Sequence, residues 1–307
     1  MRKIIEKIMK MPGAILLIPM LITAVLNSYT DILDIGNPTT AVFSSTGTMT
    51  IIGIMLVVTG IQMKLPLFIK AMKRGGILVV VRFLINVILS TIVIFLVKDS
   101  ILGISVLAFV VAITSYNPGV YMAIAEEYGD DVDKANFALL SVMVLPVFPL
   151  MIMGLDSSAS FDYQMILATI IPLIVGLVIG KLFPQSRVAT KSMNKVLLPF
   201  LGACLGSSIH LDVVLHSSLS GIILFIVYMI VNWIPLYLID TKLLHQKGIM
   251  ATAICSVGGV SLSAPLLIAS ANKAYAPYVD EVIAQVSIGI LLSAIFLPLI
   301  IQRIKSK

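Results

Sequence analysis

Residues 76–97 read GILVVVRFLINVILSTIVIFLV, with one charged side chain, Arg82, and one amide, Asn86. A helix of that length rises about 33 Å at 1.5 Å per residue, which is enough to cross the ~30 Å hydrocarbon core of a bilayer. A shorter apolar stretch could be a core strand or helix of a soluble protein. A run of this length indicates a transmembrane helix.

The rest of the chain repeats this pattern. Of its 307 residues, 59% are hydrophobic and 12% are charged, whereas soluble domains carry about 25% charged residues. Such a chain has too little polar surface to cover a water-soluble globule. We predict an all-α, polytopic membrane protein with ten transmembrane helices, numbered spans 1 to 10. Their predicted limits are 12–26, 41–63, 76–97, 101–125, 135–155, 163–183, 196–209, 219–239, 249–271 and 282–302.

The net charge of +6 is explained by membrane topology rather than by nucleic-acid binding. The basic residues lie in short segments between the spans, and no basic face carries interleaved aromatic residues. Eighteen of the 21 Lys and Arg residues fall on one side of the predicted membrane and two on the other, while Arg82 lies within span 3. By the positive-inside rule, both termini are cytoplasmic. The expected surrounding is a lipid bilayer, with no nucleic-acid partner.

Residues that carry catalysis or bind metals are sparse. The two cysteines, Cys204 and Cys255, lie inside apolar runs, and the three histidines lie in connecting segments. No spacing typical of a metal site or a phosphate-binding loop occurs. All 15 acidic residues lie in loops or near the ends of spans, so no intramembrane carboxylate relay is visible. We therefore expect no cofactor, no metal and no enzyme activity.

An internal repeat relates the two halves of the chain. Residues 60–65 (GIQMKL) resemble residues 206–211 (GSSIHL) at an offset of 146, which also pairs Asn86 with Asn232. Because five spans are an odd number, the second copy is inverted relative to the membrane, a common plan among secondary transporters. We predict a first five-helix repeat over residues 1–155 and a second over 156–307. Chance similarity between glycine-rich helices is the alternative.

Two spans are interrupted at corresponding positions. Residues 114–119 of span 4 read TSYNPG, and residues 256–261 of span 9 read SVGGVS. Proline and glycine break helices, and within a membrane such a break is tolerated only inside protein or beside a water-filled cavity. Unwound ends would offer amide groups to an anion and carbonyl groups to a cation. Close helix packing is the alternative explanation for the glycines and serines.

Arg82 is the single formal charge well inside a predicted span. One interpretation is a side chain that holds the carboxylate of a substrate, and the other is a side chain that snorkels to the cytoplasmic interface. The predicted substrate-binding residues are Arg82, Asn117, Gly119, Ser256, Gly258, Gly259 and Ser261. The candidates for binding a coupling ion are Thr114, Ser115, Asn117 and Ser256.

Several short segments, taken in order, resemble a known family over nearly the full length of the chain. They are residues 11–13 (MPG), 17–19 (LIP), 60–65, 117–121 (NPGVY), 128–129 (YG), 205–211 (LGSSIHL) and 264–269 (APLLIA). The family is that of the 2-keto-3-deoxygluconate permeases. The resemblance implies a carrier that takes up this sugar acid with protons across a bacterial inner membrane. It also implies kinship with the bile-acid and arsenite carrier superfamily, in which broken helices 4 and 9 cross.

The sequence departs from the family pattern beside the break in span 4 and in span 5. Acidic residues are expected there, but residues 114–116 read TSY and residues 141–143 read SVM, which leaves the coupling ion open. A basic residue in span 3 does fit the pattern and favours the carboxylate-binding role of Arg82. Our hypothesis is a secondary active transporter that imports a small organic anion, above all 2-keto-3-deoxygluconate, by proton symport with alternating access.

Two alternatives stay open at this stage. One is a sodium-coupled symporter of another organic anion, which the dependence of uptake on sodium rather than pH would identify. The other is a membrane sensor that binds the same ligand without pumping it. The sequence carries no signal for the oligomeric state.

Overall fold

The computed structural model describes residues 13–63, 65–97, 100–144, 147–154, 163–209, 211, 218–258, 262 and 264–306. Within these residues the chain is mostly helical, as predicted. Two short antiparallel strands, Ser100–Ile101 and Ile104–Ser105, form a hairpin before span 4.

Each predicted span contains helix. In chain order, the helices are Ala14–Tyr29, Ser45–Gln62, Ile77–Leu96, Val106–Ile113 with Pro118–Tyr128, Phe137–Met143 with Val147–Met153, Tyr163–Leu182, Met193–Gly206, Ser218–Tyr228 with Ile234–Leu238, Ile249–Ile254 with Ala264–Ala271, and Val279–Lys305. The connecting helical segments are Thr39–Val42, Leu65–Ala71, Asp131–Ala135, Ser186–Ala189 and the 3-10 helix Lys273–Tyr278. Three π turns lie at Met72–Gly76, Met229–Trp233 and Ile239–Leu243.

Four helical stretches in the described part of the chain are long and apolar enough to cross a membrane. They are Ile69–Leu96, Val106–Tyr128, Leu219–Leu243 and Lys273–Lys305. Shorter apolar helices lie in spans 1, 2, 6 and 7. The number of ten crossings therefore stays a prediction.

Span 3 has the inside-out polarity of a membrane helix. Its inward face buries Arg82, Asn86 and Ser90, which follow one another at four-residue steps. A water-soluble helix turns its polar face to solvent, so this arrangement indicates a lipid-facing outer surface. That surface carries the exposed side chains of Ile77, Val80, Leu84, Ile88, Ile92 and Phe95.

Span 8 repeats this arrangement. It buries Tyr228, Asn232, Leu236 and Asp240 at four-residue steps. Its two π turns widen the helix within this buried stripe, and such turns are frequent at functional sites. The exposed side chains on its outer face are Ile222, Ile226, Ile230, Ile234 and Leu238.

The spans form two packed groups. In the first group, span 1 packs against span 7, and span 2 packs against spans 6 and 7. The second group contains spans 3, 4, 5, 8, 9 and 10, with span 10 contacting spans 4, 8 and 9. The groups meet where Pro118–Tyr128 contacts spans 1 and 7 and where Phe137–Met143 contacts spans 2 and 6.

Glycines allow close approach within the first group. A Cβ at Gly176 would lie 2.1 Å from the carbonyl oxygen of Val57 in span 2, and one at Gly202 would lie 2.1 Å from that of Leu16 in span 1. No side chain fits at such distances. Each of these glycines is followed four residues later by another, the small-xxx-small pattern of close helix packing in membranes.

Several predicted limits differ from the structure by a few residues, and two of them, in spans 4 and 8, have an identifiable cause. Span 4 begins at Val106 rather than at residue 101, because the Ser105 hydroxyl caps the helix by accepting a bond from the Ala108 amide at 3.1 Å, and Ile101 lies in the hairpin. Span 8 continues to Leu243 through its second π turn instead of ending at residue 239.

Candidate functional site

The interruption of span 4 lies where the sequence predicted it. The first helix ends at Ile113, and Asn117 caps the second by accepting a bond from the Val120 amide at 3.1 Å on its side-chain oxygen. Pro118 occupies the first turn of that second helix, where a missing amide donor leaves no gap in the hydrogen bonding. The sequence Asn-Pro-Gly thus ends one helix and begins another.

The interruption of span 9 also follows the prediction. Its first helix ends at Ile254, and residues 256–258 are non-helical before the second helix, Ala264–Ala271. Two of the predicted site residues, Gly259 and Ser261, lie outside the described residues. Ser256 and Gly258 are buried at the interruption.

The two interruptions touch each other. The Gly258 amide donates to the Ser115 hydroxyl at 2.8 Å, and the Asn117 side-chain amide donates to the Val257 carbonyl at 3.1 Å. A Cβ on Gly258 would lie 1.9 Å from the Tyr116 carbonyl oxygen, so the two backbones meet directly. We call this contact between residues 113–117 and 254–258 the crossing.

Arg82 of span 3 contacts both interrupted spans and is fully buried. Its guanidinium donates to the carbonyl oxygens of Ser115 and Ile254, one from each interrupted span. It also donates to the Asn232 side-chain oxygen at 2.9 Å and to the Tyr228 hydroxyl at 2.7 Å. Four of its five N–H groups are therefore bound to protein oxygens.

Aromatic rings and an amide complete the surroundings of Arg82. The guanidinium carbon lies 3.9 Å from the centre of the Tyr116 ring and 5.4 Å from that of Tyr228. One turn along span 3, the Asn86 amide donates to the Ile113 carbonyl at 2.6 Å. Among the described residues, no carboxylate is paired with Arg82, which lies at the protein interior rather than at the interface to which it could snorkel.

The other predicted residues have different surroundings. The Thr114 hydroxyl donates back to the Val110 carbonyl of its own helix at 2.7 Å. Gly119 lies against Leu201 and Leu16, at the contact between the two groups of spans. The Ser256 hydroxyl is buried at the crossing without a hydrogen-bond partner among the described residues.

A basic cleft of about 630 Å³ separates the two groups of spans at the side predicted to be cytoplasmic. Asn194 is 7% exposed in its wall, where its amide nitrogen donates to the Thr59 hydroxyl at 3.1 Å. Its amide oxygen lacks a partner within the described part of the chain. The charged residues that line the cleft are Lys134, Arg187, Lys191, Lys195, Glu126 and Asp131.

A smaller cavity of about 220 Å³ lies beside the start of span 3. Arg74 forms ion pairs there with Asp130 and Asp133. Partial burial raises the pKa of Asp130, but the hydrogen bond and charge of Arg74, together with hydrogen bonds from the backbone amides of Asp133 and Val132, outweigh it and hold that pKa below its usual range. Burial raises the pKa of Asp133 above its usual range. Asp240, also in the wall, is buried and accepts a bond from the Gly248 amide at 2.9 Å.

Some residues that belong to the crossing, or that contact it or Arg82, were not predicted from the sequence. Tyr228 follows Arg82 by 146 residues, the same offset that pairs Asn86 with Asn232, so extending the repeat would have pointed to it. Tyr116, which stacks on Arg82, lies inside the interrupted segment that was singled out. Ser293, whose hydroxyl accepts from the Val257 amide at 3.2 Å, left no local signal in span 10.

Comparisons with known proteins agree over the whole chain. The family model for 2-keto-3-deoxygluconate permease matches residues 5–307. A protein named 2-keto-3-deoxygluconate permease from Pectobacterium atrosepticum is 30% identical over 293 residues, covering 93% of this chain and 92% of the relative. One from Xanthomonas oryzae pv. oryzae is 26% identical over 300 residues, covering 95% and 93%.

A third relative, 2-keto-3-deoxygluconate permease 1 from Salmonella typhimurium, is 28% identical over 308 residues and covers 100% of this chain and 96% of its own. The matched family consists of transport proteins, in agreement with the apolar helices and with the prediction that this is not an enzyme. The chain is a multi-pass membrane protein that belongs to the 2-keto-3-deoxygluconate permease family.

Proposed function

We propose that this protein is a secondary active transporter that imports 2-keto-3-deoxygluconate by proton symport with alternating access. The observation that carries the proposal is the contact between two interrupted spans, in a fold whose two groups of helices are separated by a basic cleft. Discontinuous helices near the midplane are the usual binding elements of secondary transporters. The substrate class follows from the printed names of the relatives.

The cleft suits a small hydroxylated anion. Its volume falls within the ~300–1,000 Å³ usual for small-molecule sites, and its four basic side chains outnumber its two acidic ones. Thr59, Gln62, Thr190 and Asn194 add hydroxyl and amide groups to the lining. The side-chain oxygen of Asn194, which has no partner in the part of the chain that the structure describes, is suited to accept a bond from a sugar hydroxyl.

The proposed architecture is two inverted five-span repeats, over residues 1–155 and 156–307, with both termini in the cytoplasm of a bacterial inner membrane. The packing supports it, because an inverted repeat converts the pairing of span 1 with span 7 into that of span 6 with span 2, and both pairs are present. The buried polar stripes of spans 3 and 8 are related in the same way. Rocking of one group of spans against the other would expose a substrate bound between the groups to each side of the membrane in turn.

The predicted site residues keep a proposed role at or near the crossing. The substrate site would be lined by Asn117 and Gly258, together with Gly259 and Ser261, which lie outside the described residues. Gly119 would lie where the two groups of spans move against each other. The coupling-ion candidates are Thr114, Ser115, Asn117 and Ser256, and the Ser256 hydroxyl has no hydrogen-bond partner among the described residues.

Uptake by purified protein in proteoliposomes tests the function. We expect labelled 2-keto-3-deoxygluconate to accumulate under an inward proton gradient and to exchange in counterflow. Absence of accumulation under both proton and sodium gradients would refute coupled transport, and binding without accumulation would favour a sensor. Accumulation that needs sodium but not a proton gradient would favour the sodium-coupled alternative.

A pair of variants tests the cleft. Lys191→Ala removes a positive charge from the lining, whereas Lys181→Ala removes one outside it. We expect Lys191→Ala to raise the substrate concentration that gives half-maximal uptake by roughly fivefold, corresponding to ~1 kcal/mol for one screened charge near the substrate. Lys181→Ala should leave it unchanged. If both variants reach half-maximal uptake at the same substrate concentration, the cleft is not part of the substrate path.

A further inference from the structure

The crossing gathers backbone oxygens that have lost their helical partners. Ile113 and Ile254 are the last residues of the first helices of spans 4 and 9, and Ser115 follows the first of them by two residues. Carbonyls at the C-terminal end of a helix lack intrahelical donors and carry the negative end of the helix dipole. In transporters with broken helices, such ends and unwound carbonyls bind the coupling cation.

In this chain the guanidinium of Arg82 already binds these oxygens. It donates to the Ser115 carbonyl of one span and the Ile254 carbonyl of the other, while Asn86 donates to the Ile113 carbonyl. Two further oxygens, those of Asn232 and Tyr228, complete the set around the guanidinium. The site is thus an all-oxygen cation site that spans both interruptions.

The charge of Arg82 is balanced by dipoles rather than by an acid. A buried charge is costly unless it is paired and fully hydrogen-bonded, and the described residues offer Arg82 no carboxylate. The two helix ends supply partial negative charge, and the face of Tyr116 adds a cation–π contact at 3.9 Å. A free cation would find the same oxygens attractive for the same reasons.

We propose that Arg82 is a tethered cation that permanently takes the place of a sodium ion at the crossing. Its charge holds the two interrupted spans together in every step of transport, so the crossing needs no sodium ion. Arg82 is then a positioning residue. A carboxylate bound in bidentate fashion needs two N–H groups, and in the described part of the chain only one is left without a protein acceptor, so bidentate substrate binding by Arg82 would require it to give up one of its protein partners.

The inference rests on the proposed transport function for its uptake measurement but not for its stability measurement. We expect wild-type uptake at constant pH to be unchanged when sodium is replaced by choline. Arg82→Ala should lower both the melting temperature in detergent and uptake, the latter by about a hundredfold, since it leaves several buried oxygens unsatisfied.

Chemical rescue separates charge from packing. Guanidinium at millimolar concentration should raise the melting temperature of Arg82→Ala, whereas urea, which is neutral and has the same shape, should not. Asn86→Ala is the matched control, because it frees a carbonyl at the same crossing without removing a charge. Guanidinium should not raise the melting temperature of this variant. Equal effects of guanidinium and urea on Arg82→Ala would overturn the proposal.

A second pair of variants applies if Arg82→Ala does not fold. Arg82→Lys keeps the charge and Arg82→Gln keeps a hydrogen-bond donor without it, so the Lys variant should melt higher than the Gln variant. Equal melting temperatures, or wild-type uptake that stops without sodium, would refute a tethered cation. If wild-type protein shows no uptake under any gradient, the transport function fails, and the melting measurements still decide the role of Arg82.

Discussion

At the crossing, Gly258 lies directly against the backbone of Tyr116. One methyl group added at Gly258 therefore tests how closely the two interrupted spans approach each other. A Cβ there would lie 1.9 Å from the carbonyl oxygen of Tyr116, whereas ordinary contacts begin at 3.4 Å. Gly258→Ala must therefore separate the two interrupted segments by about 1.5 Å, the difference between these distances. The obstructing atom belongs to the backbone, so no side-chain rotation can relieve the clash.

This separation breaks identifiable hydrogen bonds. The bond from the Gly258 amide to the Ser115 hydroxyl would lengthen from 2.8 Å to beyond hydrogen-bond distance, and that from Asn117 to the Val257 carbonyl starts at 3.1 Å. A lost bond removes about 0.5–1.5 kcal/mol, and a buried group left unsatisfied costs about 1–3 kcal/mol. We expect Gly258→Ala to lower the free energy of unfolding by about 2–4 kcal/mol, which combines the loss of these hydrogen bonds with the strain of overpacking.

The measurement is thermal unfolding in detergent together with proteoliposome uptake. Gly53→Ala is the matched control, because nothing lies within 4 Å of a Cβ added at this position in span 2. Replacing a helical glycine by alanine should stabilise the control by up to about 1 kcal/mol. If Gly258→Ala melts and transports like Gly53→Ala, the two backbones do not meet at the crossing.

Two further predictions concern single side chains. Asn117→Ala should lower the free energy of unfolding by about 2–3 kcal/mol, because it removes a helix cap and the donor to a buried carbonyl; Asn117→Ser, which restores the cap alone, should recover part of this in chemical denaturation. Arg74→Ala removes the partner that lowers the pKa of Asp130. An aspartate with a lowered folded-state pKa stabilises the fold above its unfolded pKa of ~3.9 and loses that contribution as the pH falls through the folded value. The melting-temperature advantage of wild type over Arg74→Ala should therefore shrink between neutral pH and pH values below about 4; a constant difference would exclude this pair as the cause.

Local patterns predicted the interruptions well because their chemistry is local. Pro118 cannot supply an amide donor within a helix, so the first helix of span 4 had to end before it, and it ends at Ile113. The predicted start at residue 101 was wrong, since continuous hydrophobicity does not distinguish a hairpin from the first turn of a helix. The Ser105 cap was the local signal that would have corrected it.

The environment of Arg82 could not be predicted in the same way. Its hydrogen-bond partners are far away in sequence. Counted from Arg82, they follow after 33, 146, 150 and 172 residues and are Ser115, Tyr228, Asn232 and Ile254. The sequence left two interpretations, a substrate carboxylate or snorkelling to the interface. It did not suggest that the carbonyl oxygens of both interruptions would converge on one guanidinium.

The amino-acid sequence by itself determined the membrane class, the helical segments and the two interruptions. These features depend on the length of apolar runs and on the backbone chemistry of proline and glycine, which act within a few residues. The tertiary structure alone decided that the interruptions touch, that Arg82 donates hydrogen bonds to both and that a basic cleft opens between the two groups of spans. Such features arise from the packing of distant helices, where glycines set how closely backbones approach and buried polar groups must find partners across the fold.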